Sequence, residues 1–177
     1  MPKTIPLPEL WDEASSSFLT IQNGELVIEH SLLSLHKWEQ RWKKPFLTDR
    51  PKTKEELTDY IKCMTLNTEP IDDRVYSSLP YSVLSQIKEY IDDPMTATTI
   101  HEFDQGGKRE TITAELIYFS MIEYGIPFEC ASWHLNTLIM LIRVCGIKGG
   151  GGKKMSRFDN GRMQRALNEK RLKKRHR

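Results

Sequence analysis

A run of four glycines, Gly149 to Gly152, separates two segments of opposite charge in this chain. Residues 1–147 contain 14 Lys and Arg against 22 Asp and Glu, a balance of −8. Residues 148–177 contain 12 Lys and Arg against 2 Asp and Glu, a balance of +10. Four glycines in a row have too much backbone freedom to continue a helix, so they mark a linker between two electrostatically different parts.

The length and composition of the whole chain predict a single folded domain. Of the 177 residues, 38% are hydrophobic and 28% charged, which supplies enough apolar side chains for one core. The basic tail has only a thin apolar stripe, so it is predicted to be disordered, or helical only when a partner binds it. The expected regions are an extended lead-in at 1–17, a globular domain at 18–147, a Gly/Lys linker at 148–154 and the basic tail at 155–177.

The sequence argues against secretion and membrane insertion. The first ten residues contain three prolines and no apolar run, so they do not resemble a secretory signal. The longest weakly polar stretch, from Cys130 to Ile147, contains His134, Asn136 and Arg143, and an unpaired arginine is costly to bury in lipid. Three widely spaced cysteines do not make a disulfide framework. We expect a cytoplasmic protein with reduced thiols and no transmembrane segment.

One pair of β-strands is predicted near the N-terminus. Two β-prone runs, at 18–22 and 25–30, flank Asn23 and Gly24. Asn-Gly readily adopts positive φ and suits a two-residue type I′ turn. We therefore predict a β-hairpin over residues 18–30.

Capping residues and apolar spacing predict several helices after this hairpin. Ser31 can cap the first helix, and Thr53 with Glu56 forms a capping box ahead of the second. Pro80 suits the first position of a later helix. The threonine-rich segment at 96–100 is compatible with short strands. The predicted helical ranges are about 31–44, 53–64, 72–78 and 80–93.

The two most apolar segments predict a buried helical hairpin over residues 114–144. Residues 114–124 are apolar on nearly every side, and a helix of that kind lies at the centre of a core or in an interface. Gly125 can end it, and a second apolar helix is predicted over about 128–144. The expected fold class is therefore mainly α (α+β): an N-terminal β-hairpin, a compact helical domain and a flexible basic C-terminal arm.

No residue pattern indicates catalysis or metal binding. Cys130 and His134 are one helical turn apart, but a zinc site needs three or four ligands and the other histidines show no complementary pairing. The acidic pairs at 72–73 and 92–93 lie near prolines at helix edges, where Asp is common as a cap. The chain has no Gly-rich phosphate loop, nucleophile elbow or HExxH motif. We predict a non-enzymatic protein without catalytic residues, cofactor or metal.

Two groups of residues are candidates for binding a partner. Trp38, Trp42 and Phe46 are interleaved with basic residues and could stack bases or dock a peptide helix, although tryptophans at helical spacing are more often core residues. The charge of the basic tail suits an acidic protein surface or nucleic-acid phosphates, or serves only to keep the chain solvated. The tail residues selected as candidates are Arg157, Arg162, Arg165 and Arg171.

Several segments carry a more specific pattern: EHSLLSLHKWE at 29–39, KPFL at 44–47, KEELTDYIKCMT at 54–65, YIDDPMTATT at 90–99, IPFEC at 126–130, WHLN at 133–136 and LIRVC at 141–145. In this order, over about residues 10–147, they resemble a family of small proteins of long-tailed, siphovirus-type bacteriophages that are encoded near the tail genes and regarded as tail assembly chaperones.

The resemblance implies a role in tail assembly. Such chaperones are understood to coat the long, helical, apolar tape-measure protein until tail-tube subunits replace them. The expected partners are therefore the tape-measure protein or other tail proteins in the host cytoplasm, with a homo-oligomer as a further option and no membrane partner. Two alternatives stay open: a structural virion protein of the tail or head–tail connector, and a nucleic-acid-binding accessory protein that acts through the basic tail.

Overall fold

The computed structural model describes residues 2–12, 16–19, 21–98 and 111–149. Within these residues the chain forms four short β-strands, all near the N-terminus, and six α-helices, which confirms the mainly α (α+β) class. The chain divides into two compact units, Met1–Ile142 and Arg143–Arg177. Of the second unit, the described part is residues 143–149, the end of a helix. The predicted linker and basic tail lie, apart from Lys148 and Gly149, outside the described residues.

The strands form two separate antiparallel pairs. Strand β1 (Lys3–Pro6) pairs with β4 (Glu25–Ile28). Strand β2 (Leu10–Asp12) pairs with β3 (Ser17–Leu19). Residues 1–17, which were expected to form an extended lead-in, thus contain strands β1 and β2.

The predicted hairpin over residues 18–30 is wrong in its pairing. Asn23 and Gly24 do adopt positive φ, 63° each, but they lie in a 3-10 turn at Gln22–Gly24, and the two runs that flank them pair with the N-terminal strands instead. The observed pairing places Ile5 opposite Leu26, and both side chains are fully buried. A turn signal reports only local geometry, whereas this pairing is decided by apolar burial between residues distant in sequence.

Most helix starts are at their predicted positions. Capping boxes at Ser31 and Thr53 begin the first two helices. Asp72 caps the third through the backbone N–H of Arg74. Pro80 is the N-cap of the fourth rather than its first helical residue. The helices are α1 (Leu32–Trp42), α2 (Lys54–Met64), α3 (Asp73–Ser77), α4 (Tyr81–Asp92), α5 (Ala114–Glu123) and α6 (Leu135–Gly149).

Helix α1 is the centre of the core. It packs against α2 and α5, and its side chains Leu32, Leu35 and Trp38 are fully buried. Tyr60 of α2 and Met121 of α5 are buried beside them. The position of α5 is therefore fixed by its contact with a helix whose apolar side chains lie in the core.

The predicted buried helical hairpin over 114–144 is also wrong. Helix α5 buries one face only, and residues Phe128–Ser132 form a 3-10 turn rather than the start of the next helix. Helix α6 begins at Leu135, whose backbone N–H donates to the carbonyl of His30 at 2.7 Å. His134 also forms a β-bridge with Ser31. The residue before α6 is therefore paired with the connection between β4 and α1.

The segment at 96–100, which is compatible with short strands by sequence, is described only in part. Residues 96–98 form no strand, and 99–100 lie outside the described residues. None of the helices that the structure describes combines the length and the apolar character needed to cross a membrane.

Candidate binding surface

The aromatic cluster that the sequence suggested as a binding surface belongs to the core. Trp38 is 0% and Phe46 7% exposed, so neither offers a surface to a partner. The indole N–H of Trp38 donates to the carbonyl of Glu56 at 2.9 Å, and Phe46 stacks on Tyr60 with 3.8 Å between ring centroids. Trp42 is half-buried and stacks on Trp38. Apolar packing around α1 and α2 accounts for Trp38 and Phe46, which corrects the prediction for these two residues, whereas Trp42 stays a predicted contact.

The remaining predicted contact residues are four arginines of the basic tail. Arg157, Arg162, Arg165 and Arg171 lie outside the described residues.

Cys130 and His134, the pair weighed as metal ligands, do not share a helix. Cys130 lies in the 3-10 turn before α6, whereas the Nε2 of His134 is 3.0 Å from the carbonyl oxygen of Tyr90 and so acts as a donor to it. Across the described part of the chain, no group of three or more His, Cys, Asp or Glu side chains is placed to hold a metal ion.

Helix α5 presents the clearest surface for a partner, because it is apolar on two opposite faces. Ala114, Ile117 and Met121 are spaced as one helical face and are at most 3% exposed. On the other side, exposure reaches 62% for Phe119 and 66% for Ile122. The second face is completed by Leu116, which is 37% exposed. A surface helix normally keeps polar residues on this side.

The outer face of α5 consists of Leu116, Phe119 and Ile122 together with Glu115 and Glu123. At about 100° per residue, these five positions fall in one arc of about 120°, centred opposite the buried face. Phe119 lies at the middle of the arc, with the two glutamates four residues before and after it. The face is therefore a short apolar stripe that includes two carboxylates. We call it the α5 outer face below.

The buried side of α5 is held by specific contacts at both ends. At its N-terminus, the backbone N–H of Ala114 donates to Oε2 of the buried Glu39 at 2.7 Å, and Thr113 caps the helix. At its C-terminus, Gly125 has a φ of +64°, and the N–H of Ile126 donates to the carbonyl of Met121 at 2.8 Å. The bond to Glu39 and the burial of Ala114, Ile117 and Met121 fix the rotation of α5 about its axis, so the outer face is held towards solvent.

The segment that contains the α5 outer face carries charge of one sign. Residues 111–142 contain no Lys or Arg, and their three acidic residues, Glu115, Glu123 and Glu129, are all exposed. Among the described residues, none of these carboxylates forms an ion pair. The surface thus combines exposed apolar side chains with negative charge that the described residues do not neutralise.

Further apolar side chains flank both ends of the helix. Ile112, just before α5, is 41% exposed, and Phe128, just after it, is 58% exposed. The ring of Phe128 is 6.1 Å from that of Tyr118 on α5. The exposed apolar surface therefore extends beyond the helix itself.

A second apolar surface surrounds a cleft of about 600 Å³. Its rim includes four side chains that are 37–50% exposed and come from separate parts of the chain: Leu33, Leu66, Met95 and Trp133. Its lining also includes the buried polar residues Glu29 and His134. The apolar side chains of this cleft do not lie on one helix face, whereas those of the α5 outer face do.

His134 of this lining forms a buried pair with His30. The rings of His30 and His134 are 5.2 Å apart, and each residue is 2% exposed. Desolvation by burial, together with the neighbouring His134, lowers the pKa of His30 to about 3, and desolvation also lowers the pKa of His134. Nδ1 of His30 is 2.7 Å from the hydroxyl of Tyr60. Both rings are neutral near pH 7 and serve as polar parts of the core.

The α5 outer face was not predicted as a site, although its signal was in the sequence. The all-round apolar character of residues 114–124 left two options, a central position in the core or an interface. Because Glu115 and Glu123 recur at i±4 from Phe119, the face that carries them is unsuited to a core. Weighing the glutamates would have favoured the interface.

Comparisons with protein families, with curated protein sequences and with solved structures found no match to this chain.

Proposed function

We propose that this protein is a non-enzymatic tail assembly chaperone of a long-tailed bacteriophage and that it transiently binds the tape-measure protein during tail assembly. The resemblance of the sequence segments suggests the family. The observation that carries the proposal is the α5 outer face, where Leu116, Phe119 and Ile122 stay exposed on a helix whose opposite face is buried.

An apolar stripe of this kind suits a helical partner. A stripe on one helix binds the apolar stripe of a second helix by mutual packing, as in helix-in-groove recognition. The tape-measure proteins of such phages are long, helical and apolar, so they offer many such stripes. Because the stripe on α5 is short, each contact is weak, and weak contacts suit a chaperone that tail-tube subunits must later displace.

The basic tail has a supporting role in this proposal. Its positive charge can hold acidic segments of a partner near the acidic domain without fixing their geometry. The arginines Arg157, Arg162, Arg165 and Arg171 are the proposed contacts.

Affinity purification from infected cells tests the proposal. A tagged full-length chain is produced in the host during infection, and the proteins that co-purify are identified by mass spectrometry. We expect the tape-measure protein to be recovered with the wild-type chain and to be lost with Phe119→Ser. Glu89→Ser, at an exposed position on α4, is the matched control and should leave recovery unchanged.

The composition of purified virions separates this function from a structural one. A chaperone is absent from the finished particle, whereas a tail or connector component is present in stoichiometric amounts. Stoichiometric copies in virions, or no tail polypeptide in the purification, would contradict the proposal.

A further inference from the structure

The α5 outer face has a specific arrangement of charge as well as apolar area. Glu115 and Glu123 lie on either side of Phe119 along the helix axis, each about 40° from it around the helix. Eight residues at 1.5 Å rise place the two glutamates about 12 Å apart along the axis. Leu116 and Ile122 lie beside this row.

A partner that covers this face must satisfy the two carboxylates. Covering the apolar stripe removes water from its neighbours, and a carboxylate that loses water without gaining a cation or a donor is destabilising. Within residues 111–142 there is no Lys or Arg to compensate. The positive groups have to come from outside this segment, and a partner helix that covers the face can bring them into direct contact with both glutamates.

This requirement argues against a second copy of the same face as the occupant. Two α5 outer faces packed against each other would bring four glutamates into one apolar contact, and like charges in such a contact are unfavourable. A partner helix with acidic flanks is unfavourable for the same reason.

We propose that the α5 outer face binds a helix of another polypeptide in which two Lys or Arg residues, seven or eight positions apart, flank a central apolar stripe. The inference rests on the proposed function, since it names the kind of partner segment that the same surface takes. The apolar stripe packs on Leu116, Phe119 and Ile122, and each cation pairs with one of the two glutamates.

Binding of two synthetic helices to the full-length protein tests this inference. Both labelled peptides carry the same apolar stripe at i, i+3, i+4 and i+7, and both are held helical by side-chain staples. One has Lys at the two flanking positions and the other has Glu. By fluorescence anisotropy at low salt, we expect the Lys peptide to bind about tenfold more tightly than the Glu peptide, with the ratio falling several-fold at about 0.5 M NaCl.

Three variants locate the effect. Glu115→Gln with Glu123→Gln should reduce the ratio to about one, because the selective charge pairs are lost. Glu69→Gln with Glu89→Gln removes the same charge from exposed positions elsewhere and should leave the ratio unchanged, which controls for general attraction to an acidic domain. Phe119→Ser should weaken both peptides, and circular dichroism verifies that every variant is folded.

Each other outcome overturns the inference. Equal binding of the two peptides shows that the glutamates do not select the partner. An equal effect of the control substitutions at Glu69 and Glu89 shows that only net charge matters. Self-association that Phe119→Ser abolishes identifies a second copy as the occupant.

The inference and the proposed function can fail separately. If the protein still prefers the Lys peptide but no tail polypeptide co-purifies with it, the chaperone function is contradicted and the surface assignment stands. If the variant with Glu115→Gln and Glu123→Gln recovers as much tape-measure protein as the wild type does, only the surface assignment is contradicted.

Discussion

At the scale of single residues, the buried carboxylate of Glu39 connects three parts of the core. Its Oε1 accepts from the backbone N–H of Phe46 at 2.9 Å, and its Oε2 accepts from that of Ala114 at 2.7 Å. Glu39→Ala leaves two buried donors without acceptors, so we expect it to lower the free energy of unfolding by about 2–5 kcal/mol. Denaturant titration measures this, with Glu89→Ala as an exposed control. A loss no larger than that of the control would show that these hydrogen bonds do not stabilise the fold.

The buried histidine pair gives the protein a defined sensitivity to acid. The pKa of His30 falls from 6.5 in the unfolded chain to about 3 in the folded protein, and the pKa of His134 is also lowered. Below about pH 6.5 the unfolded chain therefore binds protons that the folded protein does not. As the pH falls further, each histidine lowers the free energy of unfolding by up to about 1.4 kcal/mol per pH unit. Stability should decline between about pH 6.5 and pH 4.5, before most carboxylates titrate.

Urea titrations at several pH values test this prediction. The wild-type midpoint should fall across that interval, and His30→Gln should reduce the slope because it removes one of the two groups. A second decline should follow below about pH 4.5, since Arg50 and the backbone N–H of Thr53 lower the pKa of Glu56 to about 2. A midpoint that is constant between pH 6.5 and pH 4.5 would contradict the neutral, buried assignment of both rings.

At the scale of the helix, substitutions on the two faces of α5 should have different effects. Those on the buried face should lower stability, and those on the outer face should weaken binding. Met121 is fully buried, so Met121→Ala is expected to cost about 2–5 kcal/mol of unfolding free energy. Phe119 is 62% exposed, so Phe119→Ala should change the free energy of unfolding by less than about 0.5 kcal/mol. Thermal and denaturant unfolding compare the two variants. If Phe119→Ala proves as destabilising as Met121→Ala, the outer face is covered in solution and is not a free surface.

Helix positions were predictable where a short stretch of sequence determines them. The capping residues Ser31 and Thr53 lie within one turn of the groups they satisfy, so their roles follow from local sequence. The partner of β4 and the start of α6 did not follow, because both depend on contacts between distant residues, Ile5 with Leu26 and Leu135 with His30. The candidate site was missed for a related reason: which apolar face of α5 stays uncovered depends on what packs against the other.

At the scale of the whole molecule, the opposite charges of the two segments give a prediction for the basic tail. Removal of residues 153–177 deletes 11 Lys and Arg and 2 Asp and Glu, which changes the formal net charge from +2 to −7. Any salt-sensitive binding to duplex DNA should disappear with the tail, whereas recovery of the tape-measure protein should persist at a reduced level. Electrophoretic mobility shifts and affinity purification measure the two activities. Complete loss of recovery would assign the main contact to the tail instead of α5.

Hydrogen–deuterium exchange of the full-length chain, alone and with the tape-measure protein, shows whether a partner helix covers the α5 outer face. We expect added protection in peptides that cover Ala114–Glu123, because a partner helix on the outer face suppresses opening of α5. Peptides from α4 should be unchanged, and Phe119→Ser should abolish the added protection. Binding that leaves exchange of Ala114–Glu123 unaltered would contradict the assignment of this face.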